Sequence, residues 1–301
     1  MDLAIDLFSG IGGVTSGIHQ TGLFNIVSVE KSDLKKINRG YEKLHLLNFP
    51  NQLFVSNTIQ SWKIDYKGLN NNQVKLLHLS PPCQSFSLAN RNNRIETFND
   101  LEMAIALTEI IYDLEPEMIT IEQVTQYAKS ASFEKILSAL SNYYVDIHLI
   151  NLSDYGHPQD RKRLFVTASK KKHLRLPPKS LQYGWGSTFE LYDLDALFIH
   201  PKGHERRRSR SQPFPAIIRN YFIDTKIRNG KVTLSKRLST FNYLSKGTLH
   251  PVPFKAITRA CGFPDDFIFL ESEDKLSVCN GAGIGNAFSP KFYRRFLEYN
   301  L

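Results

Sequence analysis

A cysteine follows two prolines at the end of a largely apolar run. Lys75-Leu76-Leu77-His78-Leu79-Ser80 opens into Pro81-Pro82-Cys83-Gln84-Ser85-Phe86-Ser87, so a thiol stands just beyond a strand on a proline-stiffened loop. The reactive form is the thiolate, and a free thiol with a pKa near ~8.5 needs positive surroundings or a base to reach it. Cys261 and Cys279 read instead as small buried hydrophobes. Three cysteines at wide spacings indicate neither a disulfide framework nor a zinc site, and no metal is expected. In Gln159-Asp160-Arg161-Lys162-Arg163 two arginines stand two apart. On an extended segment they share a face and can fix one ligand group, such as a phosphate, together.

A second chemical signal lies at the amino terminus. Leu3-Ala4-Ile5-Asp6-Leu7-Phe8 runs into Ser9-Gly10-Ile11-Gly12-Gly13 and then a helical pattern, which puts a glycine turn at a strand's carboxyl end, where open α/β sheets bind ligands. Glycines let the backbone approach a ligand, and Glu30 ends the next strand, placed to accept from ribose hydroxyls. The dinucleotide pattern GxGxxG is incomplete, because Thr15 occupies its third glycine position, and no triphosphate loop GxxxxGK[ST] occurs. A nucleoside-bearing cofactor without a pyrophosphate fits these features, and S-adenosylmethionine answers that description.

The elements that must position these groups are legible over the first 168 residues. Strands are expected at Leu3 to Phe8, Ile26 to Glu30, Leu53 to Val55, Lys75 to Ser80, Met118 to Glu122, Tyr144 to Ile150 and Leu164 to Ala168, mostly separated by helices, as in a parallel sheet covered by helices. One helix is expected after an Asn99-Asp100 cap and ends before Pro116; another covers Phe133 to Leu140, and the last residues, Lys291 to Tyr299, read as helical. Asn70-Asn71-Asn72 is a polar connector. The stretch from Asn90 to Asn99, with Arg91 and Arg94, offers a mobile basic flap that closes over a bound strand and excludes water. From about residue 170 prolines and glycines break the chain into short pieces, as in a loop-rich recognition module.

Charge separates the same two parts. The 301 residues carry 38 Lys and Arg against 29 Asp and Glu, a net +9. Residues 168 to 250 alone hold 17 basic and five acidic residues, or +12, so the remaining 21 basic and 24 acidic residues form a near-neutral body. Runs such as Arg206-Arg207-Arg208-Ser209-Arg210 suit a polyanion, because each cation placed on a phosphate releases counterions. With 42% hydrophobic and 22% charged residues the chain is neither a disordered tail nor a fibre. No run approaches the roughly 18 to 20 apolar residues of a membrane span, and Asp2 and Asp6 interrupt a signal-peptide pattern; a soluble, intracellular monomer is expected.

Asp6-Leu7-Phe8-Ser9-Gly10-Ile11-Gly12-Gly13, Pro81-Pro82-Cys83-Gln84-Ser85-Phe86-Ser87, Gln159-Asp160-Arg161-Lys162-Arg163, Gly262-Phe263-Pro264-Asp265-Asp266-Phe267 and Gly285-Asn286-Ala287 stand in an order that resembles the cytosine-C5 DNA methyltransferases. The resemblance runs from residue 3 to about 290 and leaves only the basic middle unmatched, which in that family is the variable target-recognition region. It implies an α/β, Rossmann-like S-adenosylmethionine-dependent methyltransferase sheet over residues 1–168, completed by 275–301, with a smaller, loop-rich target-recognition domain over 169–274. It implies methyl transfer to carbon 5 of a flipped cytosine in duplex DNA, with Cys83 as the nucleophile toward carbon 6. Glu122 then contacts the cytosine, and Arg161 and Arg163 line the site. Phe8, Gly10, Ile11, Gly13, Glu30, Asn57, Pro82 and Asn286 are the implied cofactor contacts. A cognate restriction endonuclease encoded elsewhere is an implied partner. Two departures stand out: the family's Glu-Asn-Val reads Glu122-Gln123-Val124, and Asn57 stands where an acid often meets the adenine. Transfer RNA methylation and a catalytically silent DNA-binding homologue are the alternatives.

Overall fold

The computed structural model describes residues 1–31, 36–65, 74–83, 85–86, 96–189, 196–199, 206–217, 225–228, 231–234, 241–246, 248–271 and 278–301. Arg91, Arg94, the connector Asn70-Asn71-Asn72 and the domain boundary expected near residue 275 lie outside the described residues. The first half alternates β1 (Asp2–Leu7), α1 (Gly13–His19), β2 (Phe24–Glu30), α2 (Lys36–Asn48), β3 (Leu53–Ser56), α3 (Ile59–Asp65), β4 (Val74–Leu79), α4 (Phe98–Leu114), β5 (Met118–Gln123), α5 (Ala131–Ser138), β6 (Tyr144–Asn151) and β7 (Lys162–Ser169). These strands form one seven-stranded sheet in the order β3-β2-β1-β4-β5-β7-β6. The α/β arrangement is the one expected from the alternation of apolar runs and helical patterns, and its Rossmann-like form is the one the resemblance implies.

The expectation of an all-parallel sheet needs one correction. β1 to β5 pair in parallel, but β7 runs antiparallel to both β5 and β6. Only ten residues, 152 to 161, join β6 to β7. A parallel pairing needs a crossover of a dozen or more residues, whereas an antiparallel pairing does not. A second difference concerns α4. Its cap is Thr97, whose hydroxyl accepts from the Asp100 N–H while the Asp100 carboxylate accepts from the Thr97 N–H, a capping box that starts the helix at Phe98.

The second half contains more strand than its broken sequence pattern suggested. Among the described residues β8 (Ala196–Ile199), β9 (Arg206–Ser209), β12 (Phe241–Ser245) and β13 (Thr248–Pro251) make a four-stranded antiparallel sheet in the order β13-β12-β8-β9, and β10 (Thr225–Arg228) pairs with β11 (Lys231–Leu234). Then α6 (Phe254–Ala260), α7 (Val278–Asn286) and α8 (Pro290–Asn300) return to the first sheet. Phe288, Phe292, Tyr293 and Phe296 of this return pack with Ile18, Phe24 and Phe165 on one face of the sheet, and α3, α4 and α5 cover the other. No described helix is long and apolar enough to cross a membrane.

Beneath the glycine turn the core encloses a carboxyl group. Asp6 on β1 is 1% exposed and accepts from the Thr15 hydroxyl of α1 at 2.6 Å, and that hydroxyl also lies 2.9 Å from Ser28 of β2. Burial pushes the Asp6 carboxyl up to about 7, against the pull of the Thr15 bonds. A raised carboxyl pKa contributes stability that is complete below its unfolded value and is lost as pH rises through the folded one. The stability of Asp6→Asn relative to the unmodified chain is therefore expected to rise between about pH 4 and about pH 7 and to level off above, by up to about 1.4 kcal/mol per pH unit. Urea midpoints of both proteins across that range check it; a pH-independent difference would refute a buried, titrating Asp6.

Candidate active site and cofactor pocket

The carboxyl ends of β1, β2, β4 and β5 meet along one edge of the sheet, and the sequence places its chemical groups there. The Cys83 loop leaves β4 at Ser80, whose N–H donates to the Leu7 carbonyl of β1 at 3.3 Å. Two contacts then fix the loop. Gln123 at the end of β5 donates through Nε2 to the Pro81 carbonyl at 2.6 Å, while its Oε1 accepts from the Val124 N–H at 2.5 Å. Phe86 is buried edge-on against Tyr127, with ring centroids 4.9 Å apart. The Gln that departs from the family's Asn thus spans from β5 to the proline-rich loop.

Glu122 and Arg163 form an ion pair at the same edge. Arg163 Nε lies 2.7 Å from Glu122 Oε1, with side chains 13% and 7% exposed, so little water screens the pair. Ser80 Oγ donates toward the other carboxylate oxygen at 3.4 Å. Arg161 is placed differently from the shared ligand grip its spacing suggested. Its guanidinium is 2% exposed and donates to three backbone carbonyls, Ile217 at 2.8 Å, Gly285 at 3.0 Å and Ala287 at 3.1 Å. Those carbonyls belong to the segment after β9 and to the end of α7, so Arg161 ties three parts of the chain together. Burial and the neighbouring Arg163 pull it down to about 10, which leaves it charged at neutral pH.

These charges act on the thiol. Burial raises the Cys83 pKa above the ordinary thiol range, Arg163 and Arg161 pull it back, and Glu122 pushes it up again. The positive surroundings expected from the sequence are present, yet desolvation outweighs them in the resting protein. Cys261 is buried too and raised to about 11; its sulfur accepts from Gln159 Nε2 at 3.2 Å.

The glycine turn stands at the neighbouring strand end. Phe8 leaves β1 at φ 64, left-handed backbone that an aromatic residue adopts only under constraint, here two bonds from the Phe8 and Ser9 N–H groups to the Val29 carbonyl. Gly10 follows at φ 55, and a Cβ on it would meet nothing within 4 Å, so this side of the turn is open to a ligand. Its N–H donates to Glu30 Oε2 at 2.8 Å and the Lys31 N–H to Oε1 at 3.0 Å, which occupies one acceptor site on each oxygen and leaves another on each. The buried His45, held neutral at about 3 by desolvation, donates to the Gly10 carbonyl from below at 3.2 Å. Asn57 adjoins Glu30 through its N–H to the Glu30 carbonyl at 3.0 Å. Ser9 Oγ is buried with no partner among the described residues, a donor left for a ligand at the turn.

Other implied cofactor positions hold the turn. Ile11 is 1% exposed and packs in the cluster that contains Ile284 of α7. A Cβ on Gly13 would stand 2.5 Å from the Phe288 carbonyl, so only glycine lets α1 start against the chain that leaves Asn286. Pro82 and Asn286 are exposed at the rim. Three residues that shape the site, His78, Thr120 and His45, were not singled out from the sequence. The available signal was a histidine and a threonine at interior positions of otherwise apolar strands.

Comparison with known proteins gives a consistent result. The model of the family described as C-5 cytosine-specific DNA methylase matches residues 3–299. The chain is 26% identical over 315 residues to the Type II methyltransferase M.HgiDI of Herpetosiphon aurantiacus, covering 94% of this chain and 91% of that protein. It is 25% identical over 290 residues to M.Bsp6I of a Bacillus species, covering 88% of each. The chain spans about half the length of other curated relatives that it matches, such as 49% of the Type II methylase M.HgiDII. Among solved structures, a mutant of Spodoptera frugiperda DNMT2 has the same fold with a TM-score of 0.66 at 20% identity over 99% of both chains. A putative DNA modification methyltransferase encoded within an Escherichia coli prophage superposes with a TM-score of 0.66 at 20% identity, covering 99% of this chain and 98% of that one.

A thiol raised by burial and lowered by Arg163 reacts with a defined pH dependence. Alkylation of Cys83 by iodoacetamide is expected to be slower than that of a free cysteine peptide at pH 7.5 (roughly one unit below an ordinary thiol) and to accelerate as pH rises. Arg163→Gln moves that rise to still higher pH. Mass spectrometry of the Cys83 peptide over a pH series checks both, and an Arg163→Gln profile shifted downward would contradict the electrostatic account.

Proposed function

The chain belongs to the C-5 cytosine-specific DNA methylase family, and from that premise we propose that it methylates carbon 5 of a cytosine flipped out of duplex DNA, with S-adenosylmethionine as methyl donor and Cys83 as covalent nucleophile. The observation that carries the reading is the water-poor Glu122–Arg163 pair at 2.7 Å beside the Cys83 loop and next to the glycine-turn pocket. Flipping follows from geometry, because carbon 6 is out of reach within a base pair.

Carbon 5 of cytosine is a poor nucleophile. Formation of a bond from Cys83 Sγ to carbon 6 pushes the ring electrons toward carbon 5, which becomes enamine-like. As that bond forms, the thiol proton passes to the Glu122 carboxylate, which hands it to nitrogen 3 and hydrogen-bonds the exocyclic amine as charge develops. Arg163 orients that carboxyl and, with Arg161, favours the thiolate once the base has docked. When bound, S-adenosylmethionine supplies an electrophilic methyl group on a sulfonium. The carbon 5 proton then passes to solvent water, the Cys83 sulfur departs, and the nitrogen 3 proton returns through Glu122 to that sulfur, which regenerates the aromatic ring. Phe8, Gly10, Glu30, Asn57, Pro82 and Asn286 hold the cofactor, the free Ser9 hydroxyl and the open side of Gly10 fit its approach, and Ile11 and Gly13 support the turn by packing.

In this reading residues 1–168 with 275–301 are the catalytic body, and the basic 169–274 segment recognises the target. Type II relatives support a role in a restriction-modification pair, with the endonuclease encoded elsewhere.

The test is transfer of label from methyl-tritiated S-adenosylmethionine to unmethylated genomic duplex DNA and to unmodified transfer RNA, with digestion to nucleosides. Label in 5-methyldeoxycytidine, abolished by Cys83→Ala, is expected. Label confined to the ribonucleoside would replace the DNA reading with the RNA one, and label in neither, with cofactor binding intact, would mark a silent binding protein. Gln123→Leu, which frees the Pro81 carbonyl, is expected to slow transfer at least about tenfold, as loss of one buried hydrogen bond would, with S-adenosylmethionine affinity measured by calorimetry unchanged.

A further inference from the structure

Behind the Cys83 loop a row of polar side chains crosses the apolar interior from α8 to the active site. Tyr293 OH lies 2.6 Å from Thr120 Oγ1, Thr120 Oγ1 lies 2.8 Å from His78 Nδ1, and His78 Nε2 lies 2.8 Å from Ser80 Oγ. Ser80 then donates toward Glu122 Oε2 at 3.4 Å. His78, Thr120 and Tyr293 are all 0% exposed, and Tyr293 stands edge-on to the imidazole with ring centroids 5.1 Å apart. Burial holds the imidazole neutral, at about 3, and pushes the phenol far above its ordinary range. Neither His78 nor Tyr293 therefore ionises near neutral pH.

Its bond directions follow by elimination. The Ser80 hydrogen points at the carboxylate, so Ser80 Oγ accepts from His78 Nε2–H. A neutral imidazole with its hydrogen on Nε2 accepts at Nδ1, so the Thr120 hydroxyl donates there, and Tyr293 donates to Thr120. Every hydrogen points toward Glu122. Such an array is expensive to bury and is tolerated only when fully bonded. Apolar side chains on β4 and β5 would fill the same core without that cost.

We propose that His78 is a positioning residue for Glu122: through Ser80 it holds the second carboxylate oxygen, while Arg163 holds the first, and Thr120 and Tyr293 fix the imidazole from behind. This rests on the assignment of Glu122 to the cytosine made above. The final link is the longest, as catalytic hydrogen bonds in ligand-free proteins often are, and it shortens when the base docks. The carboxylate is thus gripped from both neighbouring strands, β4 and β7, while its own strand β5 supplies Thr120.

Single-turnover methyl transfer, KM for DNA and for S-adenosylmethionine, and thermal melting of His78→Leu, His78→Gln and Ser80→Ala test the assignment. His78→Leu and Ser80→Ala are expected to slow transfer about tenfold, the scale of one buried hydrogen bond, with both KM values within about twofold. His78→Gln keeps a donor toward Ser80 and an acceptor toward Thr120, and restores most of the rate. Wild-type rates in folded His78→Leu and Ser80→Ala overturn the proposal, as does a His78→Gln no faster than His78→Leu. If His78→Leu does not fold, Ser80→Ala, whose side chain is only partly buried, decides by the same criterion. A wild-type chain that labels no cytosine in DNA would defeat the functional assignment and this proposal with it, whereas an active wild type with unaffected variants defeats this proposal alone.

Discussion

The antiparallel pairing of β7 with β5 is the constraint on which the site depends. It sets Gln123 opposite Leu164 and so brings Arg163, at the start of β7, to the carboxyl end of β5, where Glu122 and the Cys83 loop stand. Had β7 run parallel, its first residues would lie beside Met118, four residues or about 13 Å from Glu122 at roughly 3.3 Å per residue. No ion pair with Glu122 would then form, and the thiol would lose the Arg163 charge that lowers its pKa. The short link from β6 to β7 enforces the direction. A topological detail thereby becomes an electrostatic one.

That link does further work. Its residues 158 to 161 receive the chain that returns from β9: the Asp160 N–H donates to the Phe214 carbonyl and the Phe214 N–H to the Pro158 carbonyl, each at 2.7 Å. Arg208 of β9 donates to the Asp160 carboxylate at 2.8 Å, and Arg161 grips the Ile217 carbonyl. The basic, strand-built segment is fastened to the same few residues that deliver Arg163. The basic segment and the Glu122–Arg163 pair are therefore joined through the same short stretch of chain.

Burial and charge oppose each other throughout the edge. Desolvation raises Cys83, Glu30 and Asp6, while arginines and backbone N–H groups pull part of the way back. A dry site strengthens each hydrogen bond and ion pair within it, and the same dryness penalises every charge that lacks a partner. The Glu122 carboxylate meets that demand from two strands, and Arg161 meets it with three carbonyls.

The sequence alone determined the strand positions, the glycine turn, Glu30 and the cysteine loop, because these depend on local pattern: apolar runs of period two, prolines and glycines at fixed offsets, and a motif order that spans the chain. It also located Arg161 and Arg163, but their spacing implied a common partner, and only the fold separates them, sending one to backbone carbonyls and the other to Glu122. It flagged Gln123 as a departure without disclosing its bond to Pro81. The direction of β7, the six strands among the described residues of the basic segment and the row from Tyr293 to Ser80 were decided by tertiary structure. The row and the β5–β7 pairing join residues about 40 to 170 positions apart, and the basic segment's strands are only four or five residues long, so they leave little periodic trace in the residues themselves. A histidine inside an apolar strand marks an unpaid desolvation cost in the sequence; only the packed neighbours reveal which groups satisfy it.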